Sequence, residues 1–315
     1  EEAVDGRWKI DAKMPEYVKN MVVMGTDDIE AFCEKVDFCF CAVDMKKDEI
    51  KALEEKIAKT ETPVVSNNSA NRWTEDVPMI IPEINSDHAE IIEAQKARLG
   101  TTNGFIAVKP NCSIQSYVPA LTPLLKFGIK QISVCTYQAI SGAGKTFKDW
   151  PEMVGNMIPY IGGEEEKSEK EPLKVWGKVN GDHIENASAP VISAQCYRVA
   201  VQEGHTAAVS VSFENKPSKE EILELWNSFE GEAQKLNLPH APKKFLQYIE
   251  EDNRPQVKLD VDYENGMGVS VGRIREDSVY DWKFVGLSHN TVRGAAGGAV
   301  LCAELLKAQG YITAK

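Results

Sequence analysis

Cys112 stands between Asn111 and Ser113 in "IAVKPNCSIQSYVPALTPLLKFG" (106–128), where an apolar, strand-like run gives way to helical spacing. A thiol at a helix N-terminus has its pKa lowered and points into a crevice, so the position predicts an activated nucleophile. A cysteine there can equally fill an apolar gap. Nucleophilic chemistry needs a proton carrier, an oxyanion site and a substrate grip as well. Of the five histidines, His205 opens an alternating run directly after "RVAVQEG", with Arg198 seven residues upstream. A Gly-His at a strand start lies at a loop–strand junction, where active sites gather. Taken alone, a buried structural histidine is the plainer reading of His205. His183 and His240 fall in loops rich in Pro, Gly or Asp and are expected to be solvated.

Elements to position these residues follow from hydrophobic period. "NMVVMG" (20–25), "VDFCFCAV" (36–43), "TPVVSN" (62–67) and "GFIAVKPN" are short apolar runs, separated by helical stretches such as "DMKKDEIKALEEKIAKT" (44–60). Ile50, Leu53 and Ile57 share one face of that helix, and Ser86, Glu90 and Gly100 bracket another. Apolar strands alternating with helices predict a parallel sheet covered by helices. Beyond residue 128 the pattern changes. "IKQISVCTYQAIS" (129–141), "HTAAVSVSF" (205–213), "MGVSVGRIRED" and "VYDWKFVGLS" alternate as strands of a mostly antiparallel sheet do. "SKEEILELWNSFEGEAQKL" (218–236) reads as one helix opened by a capping box from Ser218 to Glu221, and "NTVRGAAGGAVLCAELLKAQG" as a small-residue helix able to pack closely. Residues 145–190 read as charged loop.

Bulk composition excludes several roles. With 315 residues there is room for two domains, each with its own core. A net charge of −12 offers no basic stripe for nucleic acid. No apolar stretch reaches the roughly 18 residues of a membrane helix. Seven cysteines without a CxxC pair suit free thiols in a reducing cytoplasm and give no metal-ligand spacing.

Taken in order, "PNCS", "YQAISGAG", "GGEEEK", "AQCYRVAVQEGH", "GVSVGRIREDS" and "LSHNTVRGAAGGA" make the chain from about residue 36 onward resemble the aspartate-β-semialdehyde dehydrogenase family, closest to its archaeal and fungal branch. The resemblance implies an α/β protein with a Rossmann-like NADP-binding domain (1–111 with 290–315) and an α+β catalytic and dimerisation domain (112–289). It implies that Cys112 forms the acyl intermediate, His205 is the acid/base and Gln138 orients the acyl group. Arg198 would grip the substrate α-carboxylate, a task suited to a bidentate fork. Glu164 would take the α-ammonium, with Glu165 and Glu166 as neighbouring alternatives, and Lys167, Asn111 and Arg72 the phosphate. Ser141, Gly142, Ala143, Gly144, Asn290, Ala42 and Asn67 would line the NADP site. The implied reaction reduces L-aspartyl-4-phosphate to L-aspartate-4-semialdehyde with NADPH, in lysine, threonine and methionine biosynthesis, by a homodimer or homotetramer. Two rivals share the pattern. A malonyl-CoA-type acyl-CoA reductase would leave Glu164, Lys167 and Arg198 little to do, and a cofactor-free dimerising subunit would not need the Cys112/His205 set.

One departure stands out. Family members open with a strand and a GxTGxVG turn that cradles the cofactor pyrophosphate, and no such stretch precedes Val36. A parallel sheet without that strand would leave unpaired backbone groups, so the expectation is that this unit lies upstream of Glu1.

Overall fold

The structure, a computed structural model, describes Trp8 and residues 13–315. Strands β1 (Cys39–Cys41), β2 (Val64–Ser66) and β3 (Ile106–Val108) form a parallel sheet in the order β1-β2-β3. Runs as short as CFC, VVS and IAV suffice because helices cross over between them and every residue of β2 and β3 is buried, while on the edge strand β1 only Phe40 is exposed. Val64, Ile106 and Val108 point into a core shared with the second sheet. Val65 and Ala107 point the other way, onto Leu301, Leu305 and Leu306 of the helix Gly297–Ala308. The end of the chain therefore returns to cover the first sheet.

The second sheet contains β4 (Ile129–Gln138), β5 (Met157–Ile158), β8 (Val191–Val199), β9 (His205–Phe213), β10 (Leu246–Ile249), β11 (Val269–Glu276) and β12 (Trp282–Ser288). Its order is β10-β11-β12-β9-β4-β8-β5, while β6 (Lys178–Asn180) and β7 (His183–Glu185) pair as a separate hairpin. All neighbours are antiparallel except β10–β11 and β4–β8. Alternation is clean in the middle strands. Ile132, Val134, Ile192, Ala194, Val209 and Val211 face inward, whereas Ser133, Cys135, Tyr137, Ser193, Tyr197 and Ser210 face outward and stay partly or fully exposed. Among the described residues no helix is long and apolar enough to cross a membrane.

Several expectations need correction. "NMVVMG" forms no strand: Met21, Val22 and Val23 are exposed, and among the described residues no strand pairs with them. The stretch after Cys112 is not one amphipathic helix but a 3-10 turn (Ser113–Ser116), one α-turn (Val118–Leu121) and another 3-10 turn (Thr122–Phe127). Pro119 and Pro123 lack the N–H that a continuous helix would use. Residues 218–236 break after Ser228, although the Ser218–Glu221 box is present. The second piece starts at Glu232, because Gly231 lies flush on the chain at Glu83. Ser86 opens a 3-10 turn and does not cap it. The supposed loop 145–190 contains a full helix, Glu164–Val175.

Gly286, on β12, fixes how the turn after Cys112 sits on the second sheet. A Cβ there would lie 1.9 Å from the Ser116 carbonyl oxygen, which nothing can accommodate without moving the turn. Gly286→Ala should lower the unfolding free energy by about 1–3 kcal/mol, the usual cost of overpacking, read as a reduced denaturant midpoint. Gly25→Ala, into open space, should leave the midpoint unchanged.

Candidate active site

The ends of three adjacent strands converge on one point. β4 and β8 run parallel with Gln138 beside Arg198, and β9, antiparallel to β4, begins there with His205. All three side chains fall on the inward phase of the pleat and are buried. The turn after β3 brings Cys112 against them, with its Sγ 3.4 Å from His205 Nε2. Gly294 permits this approach, since a Cβ there would lie 2.6 Å from that of Cys112.

His205 is wholly buried and its Nδ1 accepts the Ala139 N–H at 3.1 Å. The neutral ring therefore carries its proton on Nε2, facing the sulfur. Burial, and then the nearby Arg198 guanidinium, pull the imidazole down to about 3, so it is neutral at rest. Cys112 corrects the expectation of a lowered thiol pKa. Loss of hydration raises it and is the largest influence, ahead of the opposing pull of Lys109. The helix that was to stabilise the thiolate is only a four-residue 3-10 turn, too short to build a macrodipole.

Of the three adjacent glutamates, the helix period turns only Glu164 into the site. It accepts from Asn111 Nδ2 at 2.9 Å, Gln138 Nε2 at 3.2 Å and Lys167 Nζ at 2.7 Å. Glu165 bonds the Cys196 N–H on β8, and Glu166 pairs with Lys170 at the surface. Arg198 donates Nη1 to the Ala139 carbonyl at 2.6 Å, and among the described residues no carboxylate forms an ion pair with it. Arg72 is buried and fully engaged: Glu171, the Lys109 carbonyl and the Asn67 carbonyl take its three nitrogens.

Above Cys112 lies a cleft of about 340 Å³, lined by Asn67, Arg72, Asn111, Ser141, Gly142, Glu164, Lys167 and Asn290, among others. Gly142 must be glycine, because a Cβ would sit 2.8 Å from Arg198 Nη1 and 3.0 Å from the His205 ring. Asn290 takes the Gly204 N–H and donates to Ser141 Oγ, which in turn donates to Glu203. Asn67 Oδ1 is buried beside the cleft without a hydrogen-bond partner among the described residues, the signature of an acceptor kept for a ligand donor. Ala143 and Gly144 lie exposed after Gly142, and Ala42 is exposed beyond β1, outside the cleft lining.

Three residues were missed. Glu171 holds Arg72 and the Asn111 N–H. It could have been found from the spacing of Glu164, Ser168, Glu171 and Val175, which form a helical stripe and are all buried. Glu203 anchors Ser141 and Thr291, and Lys109 lines the cleft, buried. Nothing in the local sequence marks either one.

Two family descriptions match the chain: "Semialdehyde dehydrogenase, NAD binding domain" over residues 2–92, and "Semialdehyde dehydrogenase, dimerisation domain" over 121–293. An aspartate-semialdehyde dehydrogenase of Archaeoglobus fulgidus is 42% identical over 95% of this chain and 84% of its own length. A malonyl CoA reductase (NADP) of Metallosphaera sedula is 36% identical over 97% and 85%. Among solved structures, aspartate semialdehyde dehydrogenase with NADP from Candida albicans superposes with a TM-score of 0.86 at 36% identity, covering 97% of this chain and 87% of that one.

Brief iodoacetamide treatment followed by peptide mapping should label Cys112 before the other six thiols. Five of those are buried, and burial pushes Cys39, Cys41 and Cys302 up to about 12. Cys112→Ala should remove the fast phase without altering far-UV circular dichroism. Labelling of Cys302 as fast as Cys112 would defeat the assignment.

Proposed function

The chain belongs to the aspartate-semialdehyde dehydrogenase family, and from that we propose that it reduces L-aspartyl-4-phosphate to L-aspartate-4-semialdehyde with NADPH, on the route to lysine, threonine and methionine. One observation carries the substrate choice. A buried guanidinium with no ion-paired carboxylate among the described residues, Arg198, and a buried carboxylate, Glu164, flank Gln138 next to the Cys112–His205 pair. An α-carboxylate and an α-ammonium on one small molecule match that arrangement of charges. A CoA thioester offers neither group to it.

In the assigned mechanism Cys112 Sγ attacks the acyl phosphate, the C–O bond to phosphate breaks, and a thioester forms on the sulfur. Arg198 holds the α-carboxylate with its planar fork. The α-ammonium takes the place on Glu164 that Lys167 now occupies, which releases Lys167 towards the phosphate beside Asn111. Gln138 Nε2 orients the acyl group. NADPH, when bound, supplies the hydride that takes the thioester to the aldehyde level. The His205 Nε2–H hydrogen-bonds the oxygen that turns negative as the Cys112 thioester is reduced, and keeps that bond while the oxygen re-forms the carbonyl and expels the thiolate, so the ring stays neutral throughout. A single preorganised donor to a developing oxyanion contributes roughly 10²- to 10³-fold. The residues fit the nicotinamide half of the cofactor: Asn67 Oδ1 has no donor among the described residues, Gly142 leaves room for a flat ring, and Asn290 and Ser141 present polar groups at the rim.

Residues 1–111 with 290–315 are assigned to the cofactor and 112–289 to catalysis and dimerisation. The outward face of β4, β8 and β9, with its Tyr137–Tyr197 stack at 6.0 Å, is the surface for a second copy, and two such dimers make a tetramer. Light scattering at micromolar concentration should give a dimer or tetramer mass; a monomer would refute this.

Arg198→Lys keeps the charge but loses the two-point grip. Losing a charge-assisted hydrogen bond costs about 1.5–3 kcal/mol, a roughly tenfold to hundredfold fall in kcat/KM. The fall should be seen mainly as a raised KM for aspartate semialdehyde in the reverse, phosphate-dependent assay, and Glu164→Gln should act likewise. Efficient reduction of malonyl-CoA, with aspartate semialdehyde ignored, would transfer the chain to the reductase reading.

A further inference from the structure

Glu203 lies in the loop between β8 and β9, two residues before His205, and does not itself line the cleft above Cys112. Three residues that do line it, Ser141, Asn290 and Thr291, converge on this loop. Ser141 Oγ donates to Glu203 Oε2 at 2.8 Å, and Thr291 Oγ1 to the same oxygen at 3.1 Å. Ser141 Oγ in turn accepts from Asn290 Nδ2 at 2.8 Å, and Asn290 Oδ1 accepts the Gly204 N–H at 2.7 Å. These bonds close a ring that begins and ends on adjacent residues, Glu203 and Gly204.

Donor and acceptor chemistry leaves the ring one direction. A backbone N–H can only donate, so the Asn290 atom against Gly204 is its oxygen, and the amide nitrogen faces Ser141. That nitrogen can only donate, so Ser141 Oγ accepts and its own hydrogen must go elsewhere. An ionised carboxylate can only accept, and Glu203 takes that hydrogen. Its charge makes the bond roughly twice as strong as one between neutral groups. Without Glu203 no acceptor in the ring holds the Ser141 hydrogen away from Asn290, and the Gly204 bond alone sets the amide.

Among the described residues Ser141 Oγ is the only acceptor of Asn290 Nδ2, which leaves the second amide hydrogen for the cleft. Asn67 Oδ1, on the same cleft, is an acceptor with no donor among the described residues. A primary carboxamide, with one acceptor oxygen and an NH2 donor, complements both. We propose that Glu203 is the positioning residue for the carboxamide of the cofactor's nicotinamide: it fixes the direction of the ring and so holds Asn290 as a donor. Because the ring passes through the Gly204 N–H, the same bonds tie this donor to the residue before His205. Cofactor rim and imidazole are thereby held in one frame.

The proposal rests on the NADPH reading of this cleft, and its test separates the two. NADPH binding to the full chain is followed by cofactor fluorescence, a readout independent of turnover. Glu203→Ala should raise the Kd about tenfold, the size of a lost bond to a charged group. Glu203→Gln, whose amide oxygen can still take the Ser141 hydrogen, should recover most of that loss. Ser141→Ala should weaken NADPH as Glu203→Ala does. The double variant should bind no worse than the weaker single one, since both break the same chain of bonds. In the reverse assay Glu203→Ala should raise KM for NADP and leave KM for aspartate semialdehyde as in wild type. Losses that multiply in the double variant, no recovery in Glu203→Gln, or an equal rise in both KM values overturns the role of Glu203. So does a Kd unmoved by Ser141→Ala, a measurement that stands even if Glu203→Ala does not fold. Wild-type protein that fails to bind NADPH overturns the reading of the cleft and the proposal together.

Discussion

Glu171, a carboxylate with no solvent exposure, holds the two sheets of this protein in one geometry. It takes Arg72 Nη1 at 2.9 Å and the Asn111 N–H at 2.5 Å, so the loops after β2 and β3 end on the same helix. That helix is anchored to the second sheet by Glu165 and Glu169, which accept the Cys196 and Ala194 N–H groups of β8. Removing one partner of such a buried pair leaves an uncompensated charge, at a cost of about 3–5 kcal/mol. Through these bonds the backbone at Asn111, next to Cys112, is tied to the helix that packs on β8, the strand carrying Arg198.

The helix carrying Glu171 contains Pro172, which cannot donate to the Ser168 carbonyl. Tyr117, from the turn after Cys112, donates its hydroxyl to that oxygen at 2.8 Å. A defect in one element thus becomes the attachment point of another. Burial of the Tyr117 phenol raises its pKa well above the ordinary value and keeps it a donor. The same helix presents Glu164 to the cleft two turns earlier, so structural and substrate-facing carboxylates share a single stripe.

Dryness decides the electrostatics. The same burial that keeps His205 neutral also raises the Cys112 thiol and lowers the Lys109 ammonium. Burial shifts each of these groups toward its uncharged form. Low local dielectric makes any charge that an anionic substrate meets there interact strongly.

Period and turn chemistry alone fixed much of the architecture. β9 is the run HTAAVSVSF, and the Ser218 box and the Gly100 stop of the helix before β3 stand where their residue types require, because these features depend on neighbours within a few positions. The motif order around Cys112, His205 and Arg198 was legible through the family resemblance it carries. Tertiary structure decided the rest. Which glutamate of the EEEK run faces inward depends on where the helix Glu164–Val175 docks, and its many charges had hidden its period. The thiol's pKa depended on burial by strands remote in sequence, and two prolines had already broken the helix meant to lower it. Lys109 became notable only once folding buried it in the cleft, with Gly298, far along the chain, against its side chain. Local signals carry spacing, but hydration and partners are set by what packs against a residue from elsewhere.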